Sequence, residues 1–430
     1  MRTITDRLEK TFAGGHSGKA EPLSLHRAGY VVPISRPPIE DGAVLTAGGS
    51  ILEVASYREL EKSKPAGARV IDHGEAALIP CLVNAHAHLE LSCMRGRISL
   101  PQDGFAAWLG CLFSERSALS QEELAAGFSR GWEQLSASGV GLVGDITNEA
   151  YLLIGSGGGV PVRHTFWEAI GFNGCDLRSA LDWKLWDRTG ANGDYTSLAA
   201  HACYSTSANI IQQAKEWCRM RKAPFSIHVA EHPEEIEFLQ YGTGYCRDLL
   251  ERLGKWVECW RPPRMTPVQY LDSLGVLDAG TLLVHAVHMS DSDWEIVVKR
   301  DCSVCFCPRS NININVGKPA IAAGLQSGIK ACLGTDSLAS NHDLSLFAEA
   351  AHVLDHYPDV PPYSLLVMMT KGGAQALGQS DCFGSLTPGG CSSFLSVQLD
   401  CSTPLNQLGE QIIYQGNQGA WKWVNHLRNS

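Results

Sequence analysis

A chain of 430 residues exceeds the size at which one hydrophobic core usually stops growing, so one large domain with a smaller companion is expected. Its 44% hydrophobic and 19% charged content is that of a globular protein. The net charge of −10 argues against nucleic acid or an anionic membrane surface as partner.

Taken in chain order, residues 1–24 read as a polar N-terminal tail rich in Gly, Ser, Lys and Glu. They lack the apolar core of a secretory leader, and no later run reaches the roughly 18 residues that span a bilayer. Short strand-like runs separated by Asp41-Gly42 and Gly48-Gly49 then fill 25–77, the pattern of a small β-sandwich. Residues 379–430 carry similar material, with Gly384-Ser385-Leu386-Thr387-Pro388-Gly389-Gly390 ahead of Phe394-Leu395-Ser396-Val397. The two chain ends are therefore expected to complete one β-domain around a central insertion, with the rest of the sandwich and a C-terminal tail falling in 379–430.

The insertion, 78–378, alternates apolar strands with helical patterns. Strands are predicted at 78–88, 140–146, 162–170, 198–203, 225–229, 282–288, 303–307 and 329–334, with helices such as 121–137, 208–221, 291–299 and 344–354. Eight βα units of this kind predict an α/β fold, a (β/α)8 TIM-like barrel. The excursion at 241–270, with Trp256, Trp260, Pro262 and Pro263, is long for a barrel loop and expected to be functional. Fifteen scattered cysteines suit reduced thiols and a cytoplasmic location better than a disulfide framework. The Cys302, Cys305 and Cys307 cluster has a spacing that can hold zinc, yet it reads as strand and no second ligand pair follows.

Barrel active sites gather at the C-terminal ends of the strands. Those positions hold His86 and His88 (strand 1), His201 (strand 4) and His228 with Glu231 (strand 5). His285 follows at strand 6 and Asp336 at strand 8. In an extended strand i and i+2 share a side, so His86 and His88 project together. Three imidazoles from His86, His88 and His228 with the Asp336 carboxylate suit one divalent metal, Zn2+ first and Fe2+ as the alternative. Such an ion lowers the pKa of water toward neutrality. Glu231 is placed to shuttle protons without binding metal, and His285, with Asp336, to take the proton of the water. Strand 4 ends without the Lys or Glu that would bridge two metals, so one is expected.

These residues, in this order, resemble the amidohydrolase superfamily, in its mononuclear deaminase and chlorohydrolase branch. The specific pieces are Asn84-Ala85-His86-Ala87-His88-Leu89-Glu90, His228-Val229-Ala230-Glu231, His285-Ala286-Val287-His288, Cys307-Pro308-Arg309-Ser310-Asn311 and Gly334-Thr335-Asp336-Ser337-Leu338-Ala339-Ser340-Asn341. The resemblance implies His86, His88, His228 and Asp336 as metal ligands, with Glu231 and His285 catalytic. Within the branch, His88-Leu89-Glu90-Leu91-Ser92, Phe105-Ala106-Ala107-Trp108 and Gly334-Thr335-Asp336-Ser337-Leu338-Ala339-Ser340 look most like aminodeoxyfutalosine deaminases of the menaquinone route. Alternatives at the same site are deamination of S-adenosylhomocysteine, adenosine or guanine, or triazine dechlorination. A non-catalytic barrel scaffold is the alternative from a different class.

Adenosine-type relatives tend to carry an acid two residues before the tryptophan, where this chain has Ala106, and Cys81 stands where the family usually has Gly. Trp108, His201, Arg309 and Ser340 are nominated as contacts to a small-molecule substrate, and a homodimer is the family expectation.

Overall fold

The computed structural model describes residues 23–148, 161–181, 196–401 and 403–424. The N-terminal tail expected at 1–24 lies almost wholly outside the described residues. Two hydrogen-bonded sheets organise the rest.

The first sheet contains β1 (Ser24–Val31), β2 (Ile39–Ala47), β3 (Ser50–Ser56), β4 (Arg69–Asp72) and β5 (Ala76–Pro80). The second is built from β6 (Leu82–Ala87), β7 (Val140–Thr147), β8 (Val162–Ala169), β9 (Thr196–Ala202), β10 (Phe225–Val229), β11 (Thr281–His285), β12 (Ser303–Phe306) and β13 (Lys330–Leu333). The chain then returns to the first sheet with β14 (Phe394–Gln398) and β15 (Trp421–Val424). Both chain ends thus share one seven-stranded sheet, in the order β15-β14-β5-β1-β2-β3 with β4 beside β1. Its ladders are antiparallel except where β1 meets β4 and β5.

The eight strands of the second sheet pair in parallel in sequence order, giving the TIM-like barrel. Every residue of β6, β7, β10, β11 and β12 is buried, as expected of parallel strands covered on both faces. Helices start where side chains cap their free N–H groups. Ser120 caps Gln121–Ala137 in a capping box with Glu123, Ser207 caps Ala208–Arg221, and Ser290 caps Asp291–Lys299.

Three departures from the sequence reading bear on the site. The run expected as one strand over 78–88 is two strands in different sheets: β5 pairs with β14 up to Pro80, and after Cys81 the chain enters the barrel as β6. Proline supplies no N–H to extend the first ladder. The strand expected to reach 288 ends at His285, where φ turns to 75°, with Ala286 at 49°. The excursion after β10 contains a helix of its own, Tyr245–Arg252. Trp260 anchors it by stacking on Phe238 at 4.6 Å, and Trp256 by lying 6.2 Å from Phe172, between ring centroids.

The barrel closes at its first and last strands through residues of the candidate site. Thr335 and Asp336 both donate their backbone N–H to the carbonyl of His86 at 3.1 Å. Asn84 ties the seam from the side: its Nδ2 donates to Thr335 Oγ1 at 2.7 Å and its Oδ1 accepts from Thr335 N at 3.2 Å. Gly334 permits this approach, since a Cβ there would stand 2.8 Å from the His86 carbonyl oxygen and 2.8 Å from Cys305 Sγ.

Candidate active site and metal centre

His86, next to last in its strand, is completely buried, and among the described residues neither ring nitrogen has a hydrogen-bond partner. A buried imidazole with both nitrogens unpaired is costly unless something outside the protein binds it. His88 Nε2 lies 3.3 Å from His228 Nε2, and Asp336 Oδ1 lies 3.8 Å from His86 Nε2 and 3.9 Å from His88 Nε2. A tetrahedral ion held at about 2.0–2.1 Å by each nitrogen spaces its ligands about 3.3 Å apart, matching the His88–His228 separation. Among the described residues three groups of ligand atoms converge here within 4.8 Å: His86, His88 and Asp336; His86, His228 and His285; and, at the edge of the centre, Glu168, His201 and His228.

The supporting bonds aim the lone pairs inward. His228 Nδ1 donates to the carbonyl of His201 at 2.8 Å, which leaves Nε2 as an acceptor facing the centre. Asp336 Oδ2 accepts from Ser310 Oγ at 2.5 Å and Ser340 Oγ at 2.8 Å, so Oδ1 faces the histidines. Burial holds the His86 imidazole well below its ordinary pKa, with the neighbouring histidines adding to the effect. It pushes His88 down to about 3, against the opposing pull of Asp336. Burial works against ionising Asp336, yet His285, His88 and the two serine hydroxyls hold its carboxyl below the usual range. Neutral imidazoles facing an ionised carboxylate are the donor set that a divalent transition-metal ion takes. The residues present fit one.

His285 stands beside this centre. Its Nδ1 meets Asn311 Oδ1 at 2.9 Å, and its Nε2 lies 3.5 Å from Glu231 Oε1. Burial raises the Glu231 pKa, so its protonated form persists above the ordinary carboxyl range. Glu231, His285 and the converging residues His88, His228 and Asp336 border one cavity of about 460 Å³, with His86 behind them. The same cavity has apolar walls from Leu109, Leu112, Leu249 and Leu250, the last two carried by the helix of the 241–270 excursion.

The four nominated substrate contacts divide. Trp108 and His201 border the cavity, with Trp108 fixed by an Nε1 bond to the Ala339 carbonyl at 2.9 Å. His201 Nδ1 pairs with Ser205 Oγ at 2.6 Å. Arg309 and Ser340 are not part of the cavity wall. Arg309 is held by Asp343 through two bonds, 2.8 and 3.0 Å, and Ser340 is fully buried behind Asp336. The cysteine cluster is also split. Cys302 packs in the main core, while Cys305 and Cys307 lie with Cys332 in a second one, and none of the fifteen cysteines is in a disulfide. Among the described residues those thiols form no converging metal set.

Sequence reasoning missed Glu168. It is next to last in β8, lines the cavity and is pushed up to about 8 by burial, with Glu90 adding to the rise. An acid near the end of a wholly buried strand stretch was the available signal. It also did not connect Glu90 to Arg116, 3.3 Å away, or see Asn311 behind His285.

A closed parallel barrel with histidines and an aspartate converging at its C-terminal rim defines a hydrolase of the amidohydrolase kind, acting on carbon–nitrogen bonds. The comparison with known families agrees: residues 77–417 match the Amidohydrolase family, and the chain belongs to it. It is 30% identical to aminodeoxyfutalosine deaminase of Deinococcus radiodurans over 78% of this chain and 81% of that protein. It is 29% identical to a 5-methylthioadenosine/S-adenosylhomocysteine deaminase of Nitratidesulfovibrio vulgaris over 80% of this chain and 76% of that one. Among solved structures, Helicobacter pylori aminofutalosine deaminase in complex with methylthio-coformycin has a similar fold. Its TM-score is 0.79 at 21% identity, covering 91% of this chain and 96% of that one. Among the described residues no helix is long and apolar enough to cross a membrane.

Proposed function

We propose that the protein is a hydrolytic deaminase of 6-aminopurine nucleosides, and within that class converts aminodeoxyfutalosine to futalosine and ammonia in menaquinone biosynthesis. The observation that carries this is the placement of Glu231 and His285, 3.5 Å apart, beside the His86, His88, His228 and Asp336 convergence in one cavity. The likeness to the Deinococcus radiodurans enzyme supports the particular substrate.

His86, His88, His228 and Asp336 would hold one divalent ion, zinc by the chemistry of the donor set, which when bound supplies Lewis acidity toward water. Glu231, whose protonated form burial favours, donates to the ring nitrogen next to the carbon that bears the amine. His285, neutral because burial lowers its pKa, accepts a proton from the attacking water, with Asp336 stabilising the charge that develops. Glu231 then passes the remaining hydroxyl proton to the departing amine, and the proton on His285 resets Glu231. The two protons of the water end on the ring nitrogen and on ammonia, so the reaction balances. Apolar walls around the cavity limit competing solvent.

A second reading is deamination of S-adenosylhomocysteine or methylthioadenosine, favoured by the likeness to the Nitratidesulfovibrio vulgaris deaminase. Ammonia release from aminodeoxyfutalosine, S-adenosylhomocysteine, methylthioadenosine, adenosine, guanine and cytosine, measured side by side, tests both. The first reading requires the highest kcat/KM on aminodeoxyfutalosine. A preference for guanine or cytosine, or no release from any of the six by metal-loaded protein, overturns both.

A further inference from the structure

Glu168 is the one carboxylate on the cavity wall that neither the metal centre nor the proton relay uses and whose bonding is incomplete among the described residues. It is 4% exposed, and its Oε1 has no hydrogen-bond partner. His228 Nδ1, 3.8 Å from that oxygen, has already committed its proton to the His201 carbonyl. That commitment also rules out Glu168 and His228 Nδ1 as a second metal site. Asn148 holds Glu168 by a side-chain hydrogen bond, so the carboxylate is oriented as well as buried.

The neighbouring acid differs. Glu90 is satisfied by Arg116, by Thr147 Oγ1 at 2.7 Å and by the Asn148 N–H at 3.1 Å. A buried carboxylate oxygen left without a donor costs free energy in the empty protein, and a ligand that brings a donor recovers it.

We propose that Glu168 is a specificity-determining residue that accepts a hydrogen bond from a sugar hydroxyl of the substrate. The inference rests on the nucleoside reading above and follows from a count of donors. With its amino-bearing carbon at the metal centre, a 6-aminopurine nucleoside has no other N–H on the base. Its remaining strong donors are the hydroxyls of the sugar. Glu168 Oε1 lies 3.8 Å from His228 Nδ1 and shares the cavity wall with Glu90, Arg116 and Asn148, polar groups that suit a sugar.

The test compares adenosine with 2′-deoxyadenosine and 3′-deoxyadenosine on wild type, Glu168→Ala and Glu168→Gln, all metal-loaded and checked for metal content. A hydrogen bond to a neutral buried acceptor, the state that burial favours for Glu168, is worth about 2–10-fold in kcat/KM. Wild type is therefore expected to prefer adenosine over one of the two deoxy forms by about that factor. Glu168→Ala should lose it on adenosine but not on that deoxy form, and Glu168→Gln, which keeps an acceptor oxygen, should recover part of it. Equal losses on all three nucleosides, loss of metal from Glu168→Ala, or no sugar preference in wild type overturns the assignment. Absence of turnover on these nucleosides and on aminodeoxyfutalosine alike would instead overturn the deaminase reading. Calorimetric binding of the same three nucleosides then decides the role of Glu168 on its own.

Discussion

Glu231→Gln removes one proton-transfer group while keeping the side-chain shape, and its expected cost can be worked from the site. Glu231 Oε1 lies 3.5 Å from His285 Nε2 and belongs to none of the converging metal sets. Its backbone N–H is held separately by Glu235 Oε2 at 3.1 Å, so the local backbone has no reason to move. The change should therefore leave folding and metal content intact. A positioned acid or base contributes about 10²–10⁴-fold, or about 3–5 kcal/mol of barrier. In the proposed reaction one group serves both the ring nitrogen and the leaving amine, so the loss should fall at the upper end of that range. The assay is ammonia release from aminodeoxyfutalosine under saturation, with metal measured by mass spectrometry on the same sample. A variant within tenfold of wild-type kcat refutes the shuttle, and one that has lost its metal shows Glu231 to be a ligand.

Other outcomes follow from the same geometry. Ser310→Ala deletes one of two hydroxyl donors that hold Asp336 Oδ2, and should weaken metal binding by about 10–100-fold in a chelator competition; unchanged affinity would mean the serine does not orient the ligand. Gly334→Ala drives a methyl against the His86 carbonyl at the barrel seam, and should cost about 1–3 kcal/mol in urea unfolding together with metal. Glu235 is fully buried and pushed up to about 8, while the unfolded chain releases that proton near 4.5. Between those values the folded state holds more protons, so stability falls as pH rises through this window. Glu235→Gln should flatten that slope and raise the melting temperature at pH 8 more than at pH 5. Equal shifts at both pH values would show that ionisation of Glu235 is not the cause.

The sequence revealed the parts of the site that ride on strand ends, because an imidazole closing an apolar run is chemically conspicuous. His86, His88, His228, His285 and Asp336 all came from reading such ends, and the barrel brings their side chains within reach of one another. What it concealed depends on neighbours far along the chain. Arg309 reads as an available cation until Asp343, 34 residues later, folds beside it. Glu168 reads as one acid in β8 until closure sets it against His228, 60 residues on, with Asn148 holding it. The switch from β5 to β6 is likewise hidden, since both strands are fully buried and their apolar runs join without a break.

Strand periodicity alone would not have brought Glu231 to the same cavity as His228. His228 and Glu231 are three residues apart, and in an extended strand they would face opposite sides. Ala230, between them, takes φ of 49°, a left-handed conformation that breaks the alternation and lets both side chains border the same cavity. His285, Ala286 and Asp336, at 75°, 49° and 57°, repeat the device at the ends of β11 and β13. Such conformations cost about 1–3 kcal/mol each in non-glycine residues and persist only where surroundings over-determine them. Here cross-strand bonds do so: Ala286 N–H to the Val229 carbonyl at 3.1 Å, Val287 and His288 N–H to the Ala230 carbonyl at 3.0 and 2.9 Å, and Asp336 N–H to His86 at 3.1 Å. The same backbone that closes the barrel therefore holds His285, Glu231 and Asp336 in place before anything binds. A substrate or metal entering this site meets groups already aimed at it, which is the condition under which positioned charge and proton donors lower a barrier most.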